Sequence, residues 1–510
     1  MHTLTLSLLL GFSAGVIIGE RGMFGTELAL VSLLLGVTEL GLASLATKGY
    51  FFRNEGRKTR VSTPLIVGVF FITLALGIIR MQFITEKETL LCHEVCTFSG
   101  TIMTTPEHHD TYQTFVMRPH EDSETYDVLV KTALYPEYGR GEALEVTGRA
   151  TLPKTMMEHG DARTFDYRTY LHLHGIGSEM LYPKVVREES APSSLSFTTT
   201  LVRVRDYFVS SIERYVSPPA SSLASGMLFG NVSLSQDVVD AFRIAGLSHI
   251  IVLSGFNIAV LIGFVLLVLR FVPLGVRIIT AGIFVTLFVI MVGGGVSVIR
   301  ATIMAFIALT ALLVGRAYTA HQALLLSLFV IIAYEPSSLL HDVSLHLSFL
   351  ATAGIVYGSV SLKERLTRIG SITYREIIAT TLCAYGATLP YIMYTFGTVS
   401  VYALVANLLI LPLLPTVMAM TFLLTLVAPV SGTLASLVGY GVTQVCDGVI
   451  ALAEWIATFP FASLSVHVSF LSMCSLYLVM AGLMFFFMRQ RNNETIETKQ
   501  DSIFSEVMSF

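Results

Sequence analysis

Apolar residues fall in long blocks along this chain. Three blocks open it, near residues 4–19, 27–47 and 61–84, the last reading VSTPLIVGVFFITLALGIIRMQFI. Others lie near 246–271, 275–294, 298–315, 320–334, 344–361, 376–397, 401–428, 433–459 and 468–488. Runs of about 18 or more apolar residues are long enough to cross a bilayer as helices, and shorter ones suit re-entrant segments. The pattern predicts a polytopic α-helical membrane protein with about eleven or twelve membrane segments.

The period changes between about 86 and 190. CTFSGTIMTTP, TYQTFVMRP, TYDVLVKTAL and GEALEVTGRATL alternate apolar with polar residues and are punctuated by glycine and proline. Such stretches read as short strands, and several within about a hundred residues predict a small inserted OB-like β-barrel. TLVRVRDYFVSSIERYV then reads as an amphipathic lead-in helix. The expected organisation is N-terminal membrane helices over 1–85, the β domain over 86–190, a second membrane domain over 197–490 and a tail over 491–510.

Charge orients these parts. Lys48, Arg53, Arg57, Lys58 and Arg60 lie between the second and third blocks, KERLTR spans 363–368, and RQRNNETIETKQ spans 489–500. Short basic loops stay cytoplasmic, so the β domain is expected outside, on a multi-pass protein of the cytoplasmic membrane. Charged residues are 13% of the chain, against about 25% in soluble domains. The net charge of -4 offers no general attraction for a polyanion. From 90 to 190 nine Lys and Arg face sixteen Asp and Glu, the reverse of a free-standing nucleic-acid binder. A structural or docking role for that domain is the alternative. The five cysteines make no disulfide framework. Cys92 and Cys96 lie in the outward part, where a bridge and a free pair both remain open. Cys383, Cys446 and Cys474 sit in apolar runs and read as packing residues.

The stretch HIIVLSGFNIAVLIGFVLLVL, from His249 to Leu269, is a membrane run with polar groups in its first half. On a continuous helix His249, Ser254 and Asn257 would share an arc of roughly 140°. The Ser254-Gly255 pair can also interrupt the helix, and close helix packing is the simpler use for such residues. Ser254 with His249 suggests a serine hydrolase only in outline, since no G-x-S-x-G elbow is present. His172 and His174 form an H-x-H that would point both rings to one face of a strand, as zinc requires. No third ligand follows at metal-hydrolase spacing, nor for His341, Asp342 and His346. No metal and no cofactor are expected.

GLSHIIVLSGFNIAVL (246–261) resembles the signature of the ComEC family of DNA-uptake proteins. GMLFGNVSLSQDVVDAFRIAG upstream and GGGVSVIRATIMAFIALTALLVGR downstream resemble its flanking segments. EPSSLLHDVSLHLSFLATAGIV resembles another, with Glu335 where aspartate is usual, and LPYIMYTFGTVSVYALVANLLILPLLP a later block. FDYRTYLHLHGI resembles the end of the family's OB-like domain. The likeness runs from about residue 60 to 490 and departs at Phe256-Asn257, where many members read leucine-histidine. It implies a channel that passes single-stranded DNA inward during natural transformation. His249, Ser254, Gly255, Asn257, Arg300 and Asn407 are then candidates to line the path, with Arg243 and Arg316 at its mouths. Many members end in a metallo-β-lactamase-like domain with H-x-H-x-D-H. No such string occurs here, so an in-chain nuclease is not expected. Nor does a Walker A string occur. The implied partners are single-stranded DNA, membrane lipid and a separate DNA receptor, nuclease and cytoplasmic ATPase, with a homo-oligomer left open. The alternatives are a small-molecule or lipid-linked transporter, a membrane-embedded hydrolase, or a scaffold of an uptake complex.

Overall fold

The computed structural model describes residues 2–482 except 21–24, 52–62, 84–88, 93, 105, 109–110, 121–124, 154–155, 158–163, 166, 189–196, 231–233, 252, 294–295, 317 and 369. Four of the five basic residues of the 48–60 loop, and the whole 491–510 tail, lie outside the described residues.

Helices α1 (His2–Glu20), α2 (Gly25–Phe51) and α3 (Thr63–Gln82) open the chain. The β domain follows with β1 (Cys96–Ile102), β2 (Glu107–His108), β3 (Tyr112–Pro119), β4 (Asp127–Ala133), β5 (Ala143–Gly148), β6 (Ala150–Thr151), β7 (Met156–Met157) and β8 (Thr164–Phe165). Helix α4 (Tyr167–Leu173), β9 (Ile176–Leu181) and β10 (Lys184–Arg187) complete it. Its main sheet has the order β10-β5-β1-β3-β4-β9-β6, with β2 on β3 and β4 parallel to β9. It is a mixed eight-stranded sheet and not the closed barrel expected. The ladder breaks at Arg149: residues 143–148 pair with β1 and only 150–151 pair with β9. Alternation buries Phe115, Met117, Val128, Val130, Leu144, Val146 and Met180 on one face. On β3 and β4, Arg118 forks onto Asp127 at 2.8 and 2.9 Å. That hydrogen-bonded pair raises the arginine's pKa above its ordinary value. Cys92 and Cys96 are bridged, with Cα atoms 6.0 Å apart.

The amphipathic lead-in is α5 (Phe197–Tyr215), which buries Val202, Val209 and Ile212. Then come α6 (Ala220–Phe229), α7 (Gln236–Ile244), α8 (Ser248–Ile251), α9 (Gly255–Val268), α10 (Leu274–Val292), α11 (Val296–Val314), α12 (Ala320–Tyr334) and α13 (Ser338–His341). After them lie α14 (Val343–Arg365), α15 (Ile372–Thr395), β11 (Thr398–Ser400), α16 (Ala403–Ile410), α17 (Leu414–Val427) and α18 (Gly432–Ala457). β12 (Ser463–Ser465) pairs with β11, and α19 (Phe470–Gly482) ends the described chain. Among the described residues seven helices are long and apolar enough to cross a membrane alone, and α16 with α17, bent by 47°, would make an eighth. The chain is thus a polytopic helical membrane protein.

Its helices form several packing units, among them small clusters that join α1 to α12 and α1 and α2 to α3. The largest buried cluster draws on α5 to α11 and α16 to α18. None of its described members comes from α12, α14 or α15. Helices α14 and α15 pack instead on each other as a hairpin. A Cβ on Gly354 would overlap the Cys383 carbonyl oxygen and come 2.7 Å from the Ala387 Cβ, so the two backbones touch there. Only Leu345 of α14 is buried.

Several joints gather at one end of the bundle. Helix α4 packs on α13. Arg80 of α3 caps α12 through the carbonyls of Ala333 (2.9 Å) and Tyr334 (2.7 Å). His341 meets Glu20 of α1 at 2.7 Å. Asp342 caps α14, accepting from the amides of Ser344 and Leu345. The Arg140 loop of the β domain reaches α5: burial, then the charge of Arg205, lowers the Arg140 pKa, and Asp206 opposes them.

Candidate functional site

The apolar run from His249 is broken, not one helix. Helix α8 ends at Ile251, and α9 starts at Gly255 with Ser254 in extended backbone before it, at φ -115 and ψ 169. A serine and a glycine together release the backbone at this point, because serine competes for backbone bonds and glycine has no Cβ to hold the helix. The single polar arc expected of a continuous helix therefore does not form.

The polar groups take separate duties. The Ser254 hydroxyl lies 3.2 Å from Asn257 Oδ1, bonding a side chain where an N-cap serine would bond a backbone amide. Asn257 is buried and donates to the Met227 carbonyl at 2.8 Å, joining α9 to α6. Its polarity is satisfied by protein, which is a packing role. Ser254 has no imidazole among its hydrogen bonds, so the hydrolase outline gains nothing. His249 is exposed, in the short α8 that precedes the break.

Residues near the starts of three helices, α9, α11 and α14, meet here. Gly255 is the first residue of α9, Arg300 the fifth of α11 and Ser348 the sixth of α14. Arg300 is 8% exposed. Its Nε donates to Ser348 Oγ at 2.7 Å and its Nη1 to Thr352 Oγ1 at 2.9 Å, with Met304 Sδ at 3.6 Å. A Cβ on Gly255 would stand 3.1 Å from Arg300 Nη2 and 3.2 Å from Ala301 Cβ, so the bare glycine gives the guanidinium its room. No carboxylate pairs with Arg300 among the described residues. Arg300 thus bridges the large cluster and the α14–α15 hairpin across a polar seam. Tyr385 of α15 donates to the Ser400 carbonyl of β11 at 2.6 Å.

The other candidates lie apart from this cluster. Arg243 is exposed and sits 3.7 Å from Asp240 on α7. Arg316 is exposed beyond the far end of α11. Asn407 is buried on α16, and its Oδ1 has no hydrogen-bond partner among the described residues. The strand geometry that would point both H-x-H rings to one face does not form. His172 is helical, in the last turn of α4, and stacks at a tilt on Tyr126; His174 Nδ1 bonds the Tyr170 carbonyl. His346 is held by Tyr391 and the Leu339 carbonyl, apart from the pairing of His341 with Glu20. No group of three or more metal-ligating side chains occurs among the described residues. Ser348, Thr352 and Tyr318, whose phenol lies within electrostatic reach of Arg300, escaped the sequence reading. The i, i+4 spacing of Ser348 and Thr352 on an apolar helix was the available signal.

Comparison with known proteins now bears on this geometry. Residues 227–492 match the family model described as "Competence protein", which covers the break, the seam and the hairpin. ComE operon protein 3 of Bacillus subtilis (strain 168) is 25% identical over 301 residues, 56% of this chain. The match takes in 37% of that relative's length. No solved structure matches.

Proposed function

Because this chain belongs to the ComEC type of competence protein, we propose that it serves DNA uptake for competence and that its membrane helices form the passage for a single strand across the cytoplasmic membrane. The observation that carries this reading is Arg300: a buried guanidinium on an apolar, span-length helix, joining the large cluster to the α14–α15 hairpin and without a carboxylate partner among the described residues. Ionisable groups at membrane depth are costly and mark substrate paths or wet cavities. A strand of DNA needs such a path, and the seam between the large cluster and the α14–α15 hairpin offers one. His249 and the break before Gly255 stand at its entrance, while Arg243, Arg316 and Asn407 are assigned no contact with the strand.

The domain plan follows from the same reading. To the seven long helices and the bent pair this reading adds α2, α9, α12 and α19 as proposed crossings, about twelve together. An even number leaves the chain's start, the 48–60 loop and the tail on one side and the β domain, OB-like in its strand order, on the other. The strand's supply belongs to a DNA receptor and a nuclease outside, and its pulling to an ATPase inside. Deletion of the gene tests the function: labelled DNA should fail to reach the cytoplasm, and a plasmid copy should restore entry. Undiminished entry in the deletion strain would reject the passage and favour a transporter of small or lipid-linked molecules.

A further inference from the structure

We propose that Arg300, Ser348 and Thr352, beside the bare face of Gly255, form a seat for one backbone phosphate of the passing strand; this rests on the reading that DNA crosses at this seam. Among the described residues every hydrogen-bond partner of the Arg300 guanidinium is neutral: two hydroxyls and a thioether. Hydroxyls satisfy N–H groups but leave the positive charge in place, and an uncompensated charge in a low-dielectric setting is expensive. An anion entering the seam would neutralise it, and the groups already there suit a phosphate.

The geometry leaves one side of the fork available. Nε and Nη1 are engaged, whereas Nη2 points past Gly255 and makes no hydrogen bond among the described residues. Nη2 alone can donate to a phosphate oxygen at once, and the parallel two-point pairing of guanidinium with phosphate forms when Nη1 exchanges its long 3.6 Å contact with Met304 Sδ for a second phosphate oxygen. Ser348 Oγ and Thr352 Oγ1 now accept from Arg300, and Thr352 Oγ1 also donates to the Ser348 carbonyl at 2.8 Å. Hydroxyl rotors can turn to donate, so the same two side chains become phosphate donors when an anion arrives. Of the three helices only α9 begins at the seat itself, and the dipole at its start favours negative charge there. Nothing in the seat reads a base edge. It should therefore accept any sequence and demand only a charged backbone.

The test uses full-length protein in lipid nanodiscs and a labelled single-stranded oligothymidine. One version carries phosphodiester linkages and the other neutral methylphosphonates. Wild-type protein should bind the phosphodiester strand at least about tenfold more tightly, the scale of hydrogen bonds to a charged group. Arg300→Gln should erase most of that preference at an unchanged thermal midpoint, and Arg300→Lys should keep part of it. Equal binding of both backbones by the wild type overturns the seat, as does a full preference surviving in Arg300→Gln. Displacement of the strand by inorganic phosphate at equimolar concentration would assign the cluster to the free ion and overturn it too. A lost seat with DNA entry still dependent on the gene leaves the passage standing. DNA entry independent of the gene rejects both.

Discussion

Asn257 commits both ends of its amide to neighbours, and Arg300 commits only part of its fork. Asn257→Leu strands the Met227 carbonyl in an apolar interior, a loss of about 1–3 kcal/mol. The variant should show a lower thermal midpoint in detergent and a reduced amount in the membrane. DNA entry per inserted molecule should stay near wild type, which separates a packing asparagine from a path-lining one. Gly255 gives the opposite outcome. Alanine there would press its Cβ on Arg300 Nη2 at 3.1 Å, so the guanidinium must yield by a few tenths of an ångström. Gly255→Ala should lower DNA entry several-fold, and Gly255→Leu should abolish it, while both variants insert normally. Radiolabelled DNA counted in the cytoplasm, normalised to membrane-inserted protein, measures each.

At the scale of elements, the α14–α15 hairpin is the unit whose contacts differ most from the rest. Its helices meet backbone to backbone at Gly354, yet contribute nothing to the large cluster among the described residues. Gly354→Leu must push α15 away from the Cys383 carbonyl, an overpacking cost of about 1–3 kcal/mol or more. A lowered thermal midpoint and lost DNA entry are the expected result, read by unfolding in detergent and by the uptake assay; unchanged values would mean the hairpin is looser than its backbone contact indicates. The apolar blocks made most of these helices legible, since length and hydropathy alone define candidate crossings. The break before Gly255 was legible as one option, because Ser-Gly releases a helix locally. Other features were set by distant partners. Helix α4 overrode the strand reading of the 172–174 histidines because its tyrosines and histidines pack on one another and on Tyr126. The sheet breaks at Arg149, between the β5 residues that pair with β1 and the two β6 residues that pair with β9, and no local pattern announces that break. Ser348 and Thr352 became site residues only when Arg300 arrived from another helix.

Across the whole molecule, basic residues gather at one set of helix connections. Arg270, Arg277, Arg316, Lys363, Arg365 and Arg375 lie at the connections α9–α10, α11–α12 and α14–α15. The opposite end carries Glu20, Glu335, His341 and Asp342 and meets the β domain through α13 and α4. Basic connections are retained in the cytoplasm, so the first set should face inward and the β domain outward. That orientation puts His249, Gly255 and Arg300 in the outer part of the bundle, where an incoming strand first meets it. Single-cysteine labelling decides the matter in a background with Cys383, Cys446 and Cys474 replaced and the Cys92–Cys96 bridge kept. Glu188 of the β domain and Ser371 before α15 are both exposed and suit substitution. Glu188→Cys should react with a membrane-impermeant maleimide on intact cells, and Ser371→Cys only after the membrane is opened. Labelling of Ser371→Cys on intact cells with Glu188→Cys protected would invert the molecule. The seat would then lie on the cytoplasmic side, and it would serve the exit of a strand, not its entry.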